Sequence, residues 1–218
     1  MCGRFTLTVD ALEIAQYFDI DEFDEENFKK SYNIAPSQQV LAVVNHKGKN
    51  RAGYIKWGLI PFWAKEPSFQ LINARGESLQ EKPSFKHLNR RRCLILADSF
   101  FEWKKEKETK KPVRFLLKSE EPFAFAGLWD KYEKNGEVLV TCTIVTTAAN
   151  ELVAPIHNRM PAILNKGIGE NWLNPAITNW SDILPLIQAY PACEMKAYEV
   201  SPIVNSPKNN SEQCIKAI

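Results

Sequence analysis

Cys2 stands one residue from the start of the sequence, in MCGRFT. An initiator methionine is commonly removed ahead of a residue as small as cysteine. Loss of Met1 would leave an amine on Cα and a thiol on Cβ, a 1,2-aminothiol. The reference pKa values are about 7.7–8.0 for such an amine and about 8.5 for the thiol, so near neutrality each supplies some reactive form. With an aldehyde the amine condenses to a Schiff base, and the thiol then closes a five-membered thiazolidine ring. Holding the aldehyde against both groups is worth about 7–11 kcal/mol of barrier in favourable cases. A structural or incidental cysteine is the competing explanation, and MC alone favours it.

Three further stretches carry polar groups at useful spacing. LINARGES holds Asn73, Arg75 and Glu77. If extended, it turns the amide and the guanidinium to one face, a donor for a polar ligand and a fork for a phosphate; an ordinary surface loop with a salt bridge is the alternative. ADSFFEWKK sets Glu102 between Phe101 and Trp103, after the apolar run CLILA. A carboxyl group against aromatic rings is desolvated, its pKa rises, and it suits general acid–base work. Strict strand alternation would instead expose it. APIHNRMP places His157, Asn158 and Arg159 between Pro155 and Pro161, a stiff loop able to aim a proton carrier. A loop histidine that only caps a backbone carbonyl is the plainer reading.

Aromatic and basic residues are interleaved as well. Trp57, Phe62 and Trp63 lie in IKWGLIPFWAK, and Arg4, Arg75, Arg159 and Arg90–Arg92 could form a local basic patch. Rings that stack on bases and forks that grip phosphates suit single-stranded nucleic acid. For Trp57 a place in the core is expected instead.

The elements that must position these groups follow from apolar patterning. TVDALEIAQYFDI predicts a helix with Asp10 as N-cap and Leu12, Ala15 and Phe18 on its buried face. QQVLAVVNHKGKNRAGYIKWGLIPFW predicts a hairpin about a Lys/Gly/Asn turn. KPSFKHLNRRRCLILADSFFEW reads as a short basic helix running into a buried strand. VRFLLKSEEPFAFAGLWDKYEKNGEVLVTCTIVTT reads as consecutive strands with turns at SEEP and KNGE. TTAANELVAPIHNRMP starts as a helix and becomes a loop; GENWLNP and SDILPLIQAY are short helices, and EMKAYEV is a last strand. Strands in succession with short peripheral helices predict an α+β fold with mainly antiparallel sheets. Residues 1–205 read as a single domain, and 206–218 as a loose polar C-terminal tail.

Composition excludes several classes. The 218 residues are 44% hydrophobic and 25% charged, enough for a sizeable core. A net charge of +2 leaves no global basic field, so any nucleic-acid surface is a local patch. Cys2, Cys93, Cys142, Cys193 and Cys214 are widely spaced, odd in number and without a CxxC pair, which argues against disulfides and zinc. His46, His87 and His157 form no HExxH, and there is no Gly-rich phosphate loop, so no metal and no cofactor is expected. No apolar run approaches a membrane span, and MCGRFTLTVD lacks the apolar region of a signal peptide. The expected setting is a reducing cytoplasm, alongside DNA, with Cys2 a free thiol.

Taken together and in order, MCGRF, YNIAP, WGLIPFWAK, INARGES, RRCLILADSFFEW, FAGLWD, TIVTTAAN and IHNRMPAIL closely resemble bacterial members of one family, the SOS response-associated peptidase (SRAP) domain proteins. The likeness covers nearly the whole chain except the last dozen or so residues. It implies a compact α+β domain with a distorted β-barrel-like core. It also implies a sensor of abasic sites in single-stranded DNA, whose N-terminal cysteine forms a covalent thiazolidine crosslink with the ring-opened sugar and shields the lesion. By motif position Cys2 is the nucleophile through both amine and thiol. Asn73 orients the sugar or the amine, Glu102 is the general acid–base, and His157 assists ring opening. Arg4, Arg75 and Arg159 hold flanking phosphates, Trp103 stacks near the lesion, and Asn33 and Pro36 line the DNA channel. A monomer is expected.

Two rivals stay open. A thiol autopeptidase would use Cys2, His157 and Asn73, with the Met1–Cys2 bond as its obvious substrate. A non-covalent damaged-DNA module would rely on arginine and tryptophan alone.

Overall fold

The computed structural model describes residues 2–106 and 108–218; the removal of Met1 expected from the sequence concerns a residue outside them. In chain order the elements are β1 (Phe5–Leu7), α1 (Ala11–Tyr17), β2 (Ser31–Ile34), β3 (Gln39–His46), β4 (Lys49–Trp57), β5 (Asn73–Arg75), β6 (Arg92–Ala97), β7 (Ser99–Glu106), β8 (Thr109–Leu117), β9 (Phe123–Lys134) and β10 (Glu137–Ala148). There follow β11 (Arg159–Pro161), β12 (Ile163–Leu164), α2 (Lys166–Leu173), α3 (Trp180–Ile183) and β13 (Met195–Glu199).

Two hairpins set the register of the larger sheet. Lys47 and Gly48 both take positive φ, 54° and 81°, between β3 and β4, and His46 pairs with Lys49. Asn135 and Gly136 do the same, 53° and 80°, between β9 and β10, where Lys134 pairs with Glu137. Two residues of positive φ make the turn whose twist matches the flanking strands. Each hairpin therefore sits where its sequence signal predicts.

Pairing then closes on itself. β10 joins β4, β4 joins β3, β3 joins β6, β6 joins β9, and β9 returns to β10. The result is a five-stranded barrel, antiparallel except at the β4–β10 seam. β10 runs past that seam. Its far end is flanked by β5 along Ile144–Thr146 on one edge and by β11 along Thr146–Ala148 on the other. A second, five-stranded sheet has the order β13-β8-β7-β1-β2. An α+β architecture of mainly antiparallel sheets with short helices is what the strand pattern predicted.

Between the two sheets lies an aromatic core. Phe5 of β1 meets Trp57 and Phe125 edge-on, at 5.2 and 5.4 Å, and Phe100 stacks on Phe115 at 5.1 Å. All are fully buried, Trp57 included, as expected. Its indole Nε1 donates to the carbonyl of Ile72 at 2.9 Å and so ties the barrel to the residue ahead of β5.

Four expectations are corrected. In α1 the core-facing pair is Ile14 and Phe18, one turn apart, while Leu12 is exposed. Residues 82–91 form a series of turns, not a basic helix. Arg92 is buried with its guanidinium on the carbonyls of Trp172, Asn89 and Asn174, and burial pulls its pKa down to about 10. Arg91 pairs with Asp130, so two of the three arginines in this run are committed within the fold, while Arg90 is exposed. The segment after β10 is likewise not helical but a set of turns, started by Asn150 Oδ1 accepting from the amides of Leu152 and Val153 at 3.1 and 3.0 Å.

The C-terminal residues are not a loose tail. Val200, Val204 and Cys214 are fully buried against Phe101 of β7, and Tyr198 donates to the carbonyl of Ile215 at 3.1 Å. Polar side chains there serve the fold: the Asn210 amide oxygen takes the backbone amide of Tyr32 at 2.7 Å.

Candidate active site

Cys2 leads into β1 and is completely buried. Its carbonyl accepts a hydrogen bond from Asn73 Nδ2 at 2.9 Å, a contact between residues 71 apart in the chain. Asn73 opens β5, and the segment is extended, so Asn73 and Arg75 alternate with buried Ala74 between them. The other amide atom, Asn73 Oδ1, is buried and has no hydrogen-bond partner among the described residues.

Glu102 is 5% exposed. The sequence leaves it between a desolvated acid and a solvent-facing strand residue, and the structure gives burial for a different reason from the flanking rings. Successive strand residues point to opposite faces. Phe100 belongs to the core between the sheets, whereas Phe101 and Trp103 pack with Val200 and Val204 on the other side. Glu102 thus shares the side of Phe100 and Cys2. Alternation fails to expose it because the C-terminal segment covers the second face of β7. Burial raises the Glu102 pKa above the usual carboxylate range, with His157 pulling the other way. The Cys2 thiol is pushed up as well, first by burial and then by the nearby Glu102 charge. Cys2, Asn73, Glu102 and His157 therefore converge on one place.

The ring of His157 is oriented by its own loop. Its Nδ1 lies 2.9 Å from the backbone amide of Arg159 and 3.1 Å from the Arg159 carbonyl, so it accepts from the amide in the Nε2–H tautomer and donates to the carbonyl when the ring is protonated. That contact also bears on the Cys–His–Asn arrangement. Here the orienting group on Nδ1 is a backbone amide, while Asn73 holds Cys2.

The six residues expected to contact DNA fall into distinct settings. Arg75 is exposed. Arg159, only 13% exposed in its side chain, grips Glu77 with both terminal nitrogens at 2.6 and 2.9 Å and also donates to the Thr146 carbonyl at 2.6 Å. Arg4 is half-buried, with its guanidinium 5.7 Å from the Trp103 ring centre. Trp103, half-buried, donates from Nε1 to Asn205 Oδ1 at 2.7 Å. Pro36 is half-buried in the turn after β2. Asn33 corrects its expected place on a channel wall: it is 1% exposed, and its amide is spent on Arg4 and on the carbonyls of Val204, Ser206 and Asn209. It braces Arg4 from below.

Sequence reasoning missed Asn205 and the carbonyls around it, and it assigned no role to Glu77. The signal for the former was a few apolar residues, Ile203, Val204, Cys214 and Ile215, in and beside a polar stretch. Among the described residues no three His, Cys, Asp or Glu side chains gather to hold a metal ion, and no helix is long and apolar enough to cross a membrane.

Comparison with known proteins gives a consistent result. The abasic site processing protein YoqW of Bacillus subtilis (strain 168) is 50% identical over 223 residues, covering all of both chains. The abasic site processing protein HMCES of Gallus gallus is 32% identical, over all of this chain and 78% of its own. A crystal structure of a Bacteroides thetaiotaomicron protein superposes with a TM-score of 0.88 at 26% identity, each chain covered in full. The family model described as SOS response associated peptidase matches residues 1–207, and with these relatives it shows that the chain belongs to the SRAP family.

Proposed function

We propose that the protein processes abasic sites in single-stranded DNA by capturing the ring-opened sugar on Cys2 once Met1 has been removed. The observation that carries this reading is the gathering of Asn73, Glu102 and His157 about the one residue whose backbone nitrogen becomes a free amine. Relatives over the full chain are named for abasic-site processing.

The chemistry follows from the environments. Protonated His157, its Nδ1–H on the Arg159 carbonyl at 3.1 Å, gives its Nε2 proton to the ring oxygen while the C1′ hydroxyl proton leaves to solvent, and the deoxyribose opens to its C1′ aldehyde. The Cys2 amine adds to C1′, and Asn73 Oδ1, buried with no partner among the described residues, accepts from that amine. The carbinolamine hydroxyl leaves as water when protonated Glu102 supplies a proton, a role that its raised pKa suits. Sγ then adds to C1′ and closes the thiazolidine. Burial disfavours a free thiolate at Cys2, so the thiol must lose its proton as it attacks. Glu102, ionised by the preceding step, is the adjacent base. Aldehyde and aminothiol give thiazolidine and one water, with no change of oxidation state. The same carboxyl group run backwards reopens the ring, which is lyase-like Schiff-base chemistry in reverse. Release of Met1 by the fold itself is the autopeptidase part of this proposal.

The test is an intact mass of processed protein mixed with an oligonucleotide carrying one abasic site. The expected product survives denaturation, has the mass of both partners less one water, and is absent for Cys2→Ala. No covalent mass, or an adduct that persists in Cys2→Ala, overturns the reading. A monomer working on DNA in the cytoplasm belongs to the same proposal.

A further inference from the structure

Arg4 differs from the other site arginines in what holds it. Arg159 is matched by the Glu77 carboxylate and Arg91 by Asp130. Among the described residues no carboxylate pairs with Arg4. Its Nη1 donates to Asn33 Oδ1 at 2.7 Å and to the Val204 carbonyl at 2.5 Å, and its Nη2 reaches the Asn205 carbonyl at 3.5 Å. Every one of these acceptors is neutral. They fix the guanidinium without cancelling its charge, so its attraction for an anion is left intact. The Trp103 indole, 5.7 Å from that cation, is held by the same residue, whose Oδ1 accepts its N–H at 2.7 Å. Residues 202–205 turn as a short helical segment against β8, with Val204 buried as an anchor and Asn205 exposed beside the pair. The chain directly after it is fastened to Asn33 by the Ser206 and Asn209 carbonyls.

We infer that Asn205, carried on the strap of residues 202–209, is a positioning residue that presents Arg4 and Trp103 as one rigid clamp, cation beside ring, for a phosphate and a neighbouring base of single-stranded DNA. This rests on the function proposed above. A preset fork and ring save the ordering cost that two long side chains would otherwise meet on binding. Asn205 holds Trp103 on the side of β7 opposite to that of Glu102 and Cys2, so it acts on DNA affinity and not on the covalent step.

The experiment uses full-length processed protein. Affinity is read with single-stranded DNA carrying a tetrahydrofuran site, which has no aldehyde to trap. Rate is read with a true abasic site at saturating DNA. Asn205→Ala is expected to weaken affinity about five- to tenfold, the loss of the one hydrogen bond that holds the Trp103 ring beside Arg4, with the saturated crosslinking rate unchanged. Asn205→Asp keeps an acceptor for Trp103 but sets a carboxylate beside Arg4. It is expected to weaken affinity and to make the salt dependence shallower by about 0.7 in log–log slope, one phosphate contact. Unchanged affinity in Asn205→Ala, or a fall confined to the saturated rate, overturns the inference. If Asn205→Ala does not fold, Asn205→Asp decides alone: wild-type affinity and slope overturn it. A wild-type protein that forms no adduct refutes the proposed function instead, so the two failures are separable.

Discussion

Arg159 gives both ends of its guanidinium to a single carboxylate, that of Glu77, at 2.6 and 2.9 Å. The fork that would take a phosphate is therefore already filled, and the hydrogen bond from Arg159 holds the Glu77 pKa below the usual range. Glu77 is 58% exposed in its side chain, so it can swing away at little cost. Binding of a phosphate at Arg159 is then an exchange of one anion for another. Glu77→Gln is expected to tighten binding to single-stranded DNA several-fold and to steepen the log–log salt slope by about 0.7. Titration at several salt concentrations checks both. Weaker binding in Glu77→Gln would make Glu77 a brace for Arg159, not a competitor.

Glu102 makes the site pH-sensitive in a direction that its burial fixes. Its pKa is raised in the folded protein, so ionisation opposes folding. That contribution is in place below the unfolded value of about 4.3 and is lost as pH rises through the folded value. Glu102→Gln is expected to melt higher than wild type at pH 8, by about 2–4 °C for each kcal/mol relieved, and the gap should close near pH 4. The same variant should crosslink about 10²-fold or more slowly. Wild-type crosslinking should slow as pH rises through the Glu102 value, and the variant should not show that step. Equal melting of the two proteins at pH 8 would mean that the carboxyl group is not desolvated.

What the sequence made legible, and what it hid, follows the range of the interactions involved. KG and NG turns between apolar runs are local signals, and both hairpins stand where they point. The convergence of Asn73 with Cys2 was legible only through family likeness, since no local pattern links residues 71 positions apart. The parallel seam of β4 and β10 that closes the barrel is non-local too, and apolar periodicity is silent on it. Glu102 was ambiguous because the second face of β7 is covered by a segment that composition marks as polar and loose. Cys214 within it and Val204 just before it are both fully buried and fasten it. Asn33 looked like a surface group because asparagine is usually one; four hydrogen bonds to Arg4 and the strap make it an interior one.

Asn73 is the direct link between the strand on the barrel's edge and Cys2, the residue proposed to react. Replacing it with alanine removes the hydrogen bond to the Cys2 carbonyl, a loss of about 1 kcal/mol in stability. A larger effect is expected on the reaction, because the Cys2 amine loses both its anchor and the Oδ1 acceptor. Crosslinking at saturating DNA should slow by about tenfold or more, with affinity for a tetrahydrofuran-containing strand near that of wild type. Single-turnover gels at two DNA concentrations separate the terms. A wild-type rate would leave Asn73 as a purely structural contact.

Trp57 carries the same positioning one layer deeper. Its indole fills the core against Phe5, and its N–H holds the Ile72 carbonyl immediately before Asn73. Trp57→Phe keeps an aromatic ring but loses the donor and part of the volume, which should cost about 1–3 kcal/mol. The Ile72 carbonyl still accepts from the Ile144 amide at 3.2 Å, so β5 stays paired with β10 and the fold survives. What loosens is the start of β5, and with it the aim of Asn73. The expected signature is a lower melting temperature together with slower crosslinking at saturating DNA, while affinity for the tetrahydrofuran strand holds. Loss of affinity with an unchanged saturated rate would show that Trp57 supports the DNA surface and not the capture of the sugar.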